Sequence, residues 1–124
     1  MDARISASAA AFDAIASRYD DMFSGAANPL IAMMRERVFR AVDRHFPAPA
    51  ELLEIGCGTG EDALSLVERG HRVVACDPAP AMIATARAKL AAAGRTDAVE
   101  FLLGPVEDIA ATWSTRGWGG CAAR

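Results

Sequence analysis

Short apolar runs and helix-period segments alternate through the second half of the chain. The runs at 51–55, 72–76 and 98–103 have strand length and strand composition. Val73-Val74-Ala75-Cys76 is apolar throughout, which predicts a strand buried on both faces. Residues from about Gly60 to Glu68 read as a helix, with Gly70 as the left-handed residue that ends it. Pro80 opens a further helix that runs to near Gly94. This alternation predicts an α/β fold, a parallel sheet with right-handed crossovers and flanking helices.

Two helices are expected ahead of the sheet. The first spans about 8–23 and carries Phe12, Ile15, Tyr19 and Phe23 on one side, and Ser24-Gly25 breaks it. Asn28-Pro29 then reads as a cap followed by proline at the first helical position. The second helix runs to about Phe46, with Ile31, Met34, Val38 and Val42 as its buried stripe. Arg35, Arg37, Arg40 and Arg44 lie mostly off that stripe and read as a solvated face. Pro47 and Pro49 stop the helix. The chain divides into a helical segment 1–49, a half-domain 50–112 and an irregular tail 113–124.

Composition narrows the function. A chain of 124 residues holds at most one small domain. Net charge is −3 with a pI near 5.3, which argues against a nucleic-acid or anionic-membrane surface. No apolar run is long enough to span a bilayer, and the acidic N-terminus is a poor signal peptide, so a cytoplasmic protein is expected. Cys57, Cys76 and Cys121 form no CxxC pattern, and His45 and His71 lack partners at ligand spacing. No metal site is expected, and the histidines read as structural or exposed.

The chemistry concentrates in Glu54-Ile55-Gly56-Cys57-Gly58-Thr59-Gly60 and in Asp77. Glycines at 56, 58 and 60 let a ligand lie against the main chain. Asp77 ends the next apolar run, where an acid accepts hydrogen bonds from ribose hydroxyls. A pyrophosphate loop would carry glycine where Glu61 stands, and Glu61 and Asp62 at the helix start would repel a diphosphate. With Glu54 they suit a ligand that has a positive centre and no phosphate. An NAD-binding module is disfavoured on the same ground.

Leu53-Glu54-Ile55-Gly56-Cys57-Gly58-Thr59-Gly60 resembles the first motif of the class I S-adenosylmethionine (SAM)-dependent methyltransferases. Asp77-Pro78 resembles that family's second motif, and Phe12-Asp13-x-x-Ala16-x-x-Tyr19-Asp20 its N-terminal helix in many small-molecule members. The match runs from about Phe12 to Glu107.

The resemblance implies a Rossmann-like sheet with SAM as cofactor. Gly56, Cys57, Gly58, Thr59 and Gly60 would approach its methionine and ribose portions, and Glu54 would position the loop and the ammonium group. Asp77, with Pro78, would hold the ribose, Met82 would pack near the adenine, and Tyr19 would close over the methionine end. Pro105 stands where the family usually has an adenine-binding acid, so adenine recognition would fall to the Val106 backbone or to Glu107.

The resemblance also implies strands beyond the first three, an acceptor pocket and a general base, none of which the sequence shows. No catalytic residue is therefore assigned. A frameshift or early stop in a longer methyltransferase is expected, since the tail is rich in glycine, tryptophan and arginine and has no acid. A small-molecule acceptor is expected, as is a homodimer that pairs exposed sheet edges. The alternative is a non-catalytic SAM-binding or interaction fragment that needs a partner.

Overall fold

A computed structural model describes residues 2–114. Its core is a parallel sheet of β1 (Glu51–Ile55), β2 (Arg72–Asp77) and β3 (Val99–Leu103) in the order β1-β2-β3. Leu52 pairs with Val73, and Val73 in turn with Val99. β2 is the central strand, so its side chains from Val73 to Asp77 are buried on both faces, as its apolar run requires. β1 and β3 each pair only with β2 among the described residues, so both are sheet edges.

The helices are α1 (Ala3–Ile15), α2 (Tyr19–Phe23), α3 (Pro29–His45), α4 (Glu61–Glu68), α5 (Pro80–Ala92) and α6 (Val106–Ser114). The main core joins Val73, Ala75, Leu52 and Phe101 of the sheet to Leu66, Val67, Ile83, Ala86 and Leu90 of α4 and α5, with Phe39 of α3. Strand alternation turns Val74 and Cys76 to the opposite face, both buried, and α6 also packs on β2. His71 is buried, and its Nδ1 accepts the Ala50 N–H at 3.2 Å, a structural role. His45 is exposed.

Several sequence expectations shift. The first helix starts at Ala3 rather than near residue 8, where the Asp2 carboxylate accepts the Arg4 N–H. A 3₁₀ turn at Ala16–Arg18 then separates α1 from α2. Phe12, Tyr19 and Phe23 still share one side, with ring centroids 6.3 and 5.0 Å apart along the row. β2 extends to Asp77, and β3 begins at Val99 after a 3₁₀ turn at Thr96–Ala98. α6 carries helix through Trp113 and Ser114, beyond the expected boundary at 112, and the rest of the tail lies outside the described residues.

The largest correction concerns α3. Met34 and Val38 are 54% and 58% exposed, whereas Phe39 is buried and Ile31, Arg35, Val42 and Phe46 are half-buried. The inward stripe is turned toward Phe39, which joins the main core, and Arg35 on the same side pairs with Glu61 at 3.3 Å and with Asp62 at 3.4 Å. Arg69 also lies over the Phe39 ring, 4.3 Å from its centroid. Asn28 caps α3 as its spacing predicts, accepting the Leu30 N–H at 3.0 Å.

Candidate functional site

The loop between β1 and α4 lies at the carboxyl end of the sheet, where open α/β sheets bind ligands. Gly56, Gly58 and Gly60 all have positive φ. A Cβ on Gly56 or Gly58 would meet nothing within 4 Å, so bare backbone faces open space there. Gly60 differs. A Cβ at that position would come within 2.9 Å of the Ala86 Cβ, so this glycine permits the close packing of α4 on α5.

Four amides of the loop are already engaged. Gly56 and Cys57 N–H both donate to Cys76 O, at 2.8 and 3.0 Å. Gly58 N–H donates to Asp77 Oδ2 at 3.0 Å, and Gly60 N–H to Cys57 O at 3.1 Å. Asp77 Oδ1 accepts the Ala79 N–H at 2.9 Å, tying the start of α5 to the same carboxylate. These donors are turned inward, so the loop is not a nest for a diphosphate.

Beside the loop is a cavity of about 280 Å³, lined by Ser8, Phe12 and Tyr19 from the N-terminal helices and by Gly56, Gly58, Asp77, Pro78 and Met82. The lining carries a carboxylate and no cation. A second cavity of about 200 Å³ includes Gly56, Pro78, Pro105, Val106 and Glu107. A wider opening of about 770 Å³ lies between α1 and α6 and includes Ser8, Pro78 and Glu107. Shared lining residues link all three.

Glu54 stands near the end of β1, two residues before Gly56, and is not in the lining of these three cavities. Its Oε2 is buried and makes no hydrogen bond among the described residues. Burial pushes its carboxyl up to about 8, and the neighbouring Asp62 and Asp77 add to the rise while Arg35 opposes it. A buried acid without a donor fits a ligand that brings its own cation. Cys57 and Cys76 are buried, and desolvation raises both thiols, so neither is a ready nucleophile. Cys121 lies outside the described residues. No group of three or more His, Cys, Asp or Glu among the described residues could hold a metal ion. No described helix is long and apolar enough to cross a membrane.

Of the residues selected from sequence, Tyr19, Gly56, Gly58, Asp77, Pro78 and Met82 line one cavity. Val106 and Glu107 line the adjoining one. Cys57, Thr59 and Gly60 are buried in the loop's support rather than in the lining. Asp13, Asp20 and Lys89 were not selected. Asp13 Oδ1 accepts the Ala81 N–H at 2.7 Å, and Asp20 bonds Thr59 and Lys89. The Asp13 and Asp20 positions were visible in the N-terminal motif, but nothing local signals partners 68 and 69 residues away.

A methyltransferase-domain family model matches residues 52–115. The tRNA 5-carboxymethoxyuridine methyltransferase of Escherichia coli (strain K12) is 28% identical over 84% of this chain and 41% of its own length. The ubiquinone biosynthesis O-methyltransferase of Xanthomonas axonopodis pv. citri (strain 306) is 35% identical over 81% of this chain and 41% of its own length. Among solved structures, the DhpI–SAH complex superposes with a TM-score of 0.59 at 28% identity, covering 84% of this chain and 46% of that one. The chain thus spans less than half the length of these relatives.

Proposed function

The chain belongs to the class I SAM-dependent methyltransferase family, and from that premise we propose that it binds SAM in the cavity between the N-terminal helices and the β1 loop and serves methyl transfer to a small molecule. The observation that carries the reading is the buried Glu54 Oε2, which has no donor among the described residues, behind a loop whose Gly56, Cys57, Gly58 and Gly60 amides are already engaged. This chemistry accepts a cationic, phosphate-free ligand and rejects a dinucleotide.

SAM supplies a sulfonium that activates its methyl group for in-line displacement, so the protein's task is orientation and exclusion of water. Glu54 receives the ammonium group. Gly56 and Gly58 admit the ligand to van der Waals contact with the backbone. Asp77 keeps a free lone pair on each oxygen for ribose hydroxyls while it holds the loop and α5. Pro78 and Met82 supply an apolar wall toward the adenine, with Val106 and Glu107 at its polar edge. Tyr19 covers the methionine end. Cys57, Thr59 and Gly60 keep the loop in shape.

The net negative charge supports a small-molecule acceptor over nucleic acid, in a cytoplasmic setting. Pairing of β1 or β3 edges between two copies is part of this reading.

Calorimetric titration of the purified, folded chain with SAM, S-adenosylhomocysteine (SAH) and NAD tests the proposal. Micromolar binding of the first two, lost in Asp77→Ala, is the expected result. A folded chain that binds neither, or binds NAD instead, overturns it.

A further inference from the structure

The chain contains a single lysine, Lys89, on α5 outside the cavity lining. Its side chain is 19% exposed, and its ammonium group spends all three donors on three different elements. It donates to Asp20 Oδ2 of α2, to Thr59 Oγ1 of the glycine loop at 3.2 Å and to Glu61 Oε1 of α4 at 3.0 Å. Thr59, itself buried, donates its hydroxyl to Asp20 Oδ1. Asp20, Thr59 and Lys89 therefore close a ring of hydrogen bonds. Glu61 extends it to Arg35 of α3 at 3.3 Å.

The neighbours of this ring give it a purpose. Asp20 follows Tyr19, which lines the cavity, and Thr59 follows Gly58, which lines it from the other side. α2 has five residues and no fully buried side chain, only Tyr19 packed partly buried against Ala9, Ala16, Ala79 and Met82, so packing holds it weakly. The geometry points to Lys89 as a positioning residue that holds Tyr19 and the glycine loop at a fixed separation across the cofactor cavity. It acts through Asp20 and Thr59 and touches no ligand. Arginine would keep the charge, but its planar fork cannot aim three donors from one point.

This inference rests on the cofactor reading, and its test separates the two. SAH affinity and hydrogen–deuterium exchange are measured on the full chain for wild type, Lys89→Met, Asp20→Asn and the double variant. Lys89→Met is expected to weaken SAH binding about tenfold, the range for losing a charged hydrogen-bond network. Exchange should speed up in peptides covering 13–23 and stay slow in those covering 72–77. The double variant should lose little more than either single one, because both break the same ring. Lys89→Arg should recover part of the affinity.

Wild-type binding that survives Lys89→Met within twofold overturns the inference, as does unchanged exchange at 13–23. If Lys89→Met exchanges rapidly everywhere, Asp20→Asn, which leaves Lys89 paired with Glu61, decides by the same criteria. If wild type binds no SAH, the cofactor reading has failed. Faster exchange at 13–23 in Lys89→Met would then still support the bridge, and unchanged exchange would overturn it.

Discussion

Asp77 Oδ2 accepts the Gly58 N–H at 3.0 Å, so the acid that ends β2 also shapes the loop that follows β1. Its other oxygen accepts the Ala79 N–H at 2.9 Å. The residue has two separable roles, one toward the backbone and one toward a ribose. Asp77→Ala removes both and should destabilise the chain by about 3–6 kcal/mol, since each of the two hydrogen bonds to the carboxylate contributes about 1.5–3 kcal/mol. Asp77→Asn keeps one acceptor oxygen. It should recover part of the denaturation midpoint while leaving SAM affinity at least tenfold down. Equal recovery of both in Asn would show that the ribose contact is not carried by the carboxylate.

Glu54 makes stability depend on pH with a defined sign. Its folded carboxyl is raised from 4.5 to about 8, chiefly by burial, so the folded state holds a proton that the unfolded state releases. That contribution is complete below about pH 4.5 and is lost as pH rises through about 8. The ligand-free chain should lose roughly 3 kcal/mol of stability from this group between pH 5 and pH 8. Glu54→Gln should flatten the profile, as read by urea midpoints. If an ammonium group docks on this acid, it binds the ionised form. SAM affinity should then rise with pH from 6 to 8 and binding should release a proton, seen by calorimetry in buffers of different ionisation enthalpy.

The strand–loop–helix–strand unit was legible because its signals are local. Gly70 ends α4 with φ 92°, Pro80 starts α5, and the apolar run at Val73–Cys76 is the central strand. The α3 face was not legible. Apolar residues occur on both sides of that helix, and periodicity cannot say which side packs. Burial of Phe39 in the main core selects the side, with Arg35 pairing to Glu61 and Asp62, contacts made only after the chain folds back. The candidate site divides the same way. Gly56, Gly58 and Asp77 follow from residue type and position, whereas the support from Asp13, Asp20 and Lys89 depends on partners far along the chain.

Asp13 offers a second view of how the N-terminal helices are attached. Its carboxylate accepts the Ala81 N–H at 2.7 Å, capping α5 from another element. Beside it Ala16 packs with Ala79 and Met82. Asp13→Ala should cost about 1 kcal/mol, the usual loss for a helix cap. Because Phe12 and Tyr19 line the cavity from the same segment, SAM affinity should fall as well. Asp13→Asn, which retains an acceptor, should restore most of both. A variant that loses stability yet binds SAM normally would show that α1 is not part of the cofactor site.

The three loop glycines should respond differently to alanine. All have positive φ, so each substitution carries a backbone cost of roughly 1–2 kcal/mol. At Gly60 the new methyl also meets Ala86 at 2.9 Å, and α4 and α5 must move apart. Overpacking of this kind adds about 1–3 kcal/mol, so Gly60→Ala should be the most destabilised of the set. At Gly58 the methyl enters open space that the ligand is expected to use. Gly58→Ala should therefore keep most of its stability and lose SAM binding more than its denaturation midpoint accounts for. Thermal melts of both variants with and without SAH separate the effects. Gly58→Ala should show little ligand-induced rise in Tm, whereas Gly60→Ala should melt lower yet keep a ligand-induced rise, since its methyl meets Ala86 of α5 and not the ligand space. If Gly60→Ala proves no less stable than Gly58→Ala, the close approach of α4 to α5 is not the reason that position is glycine.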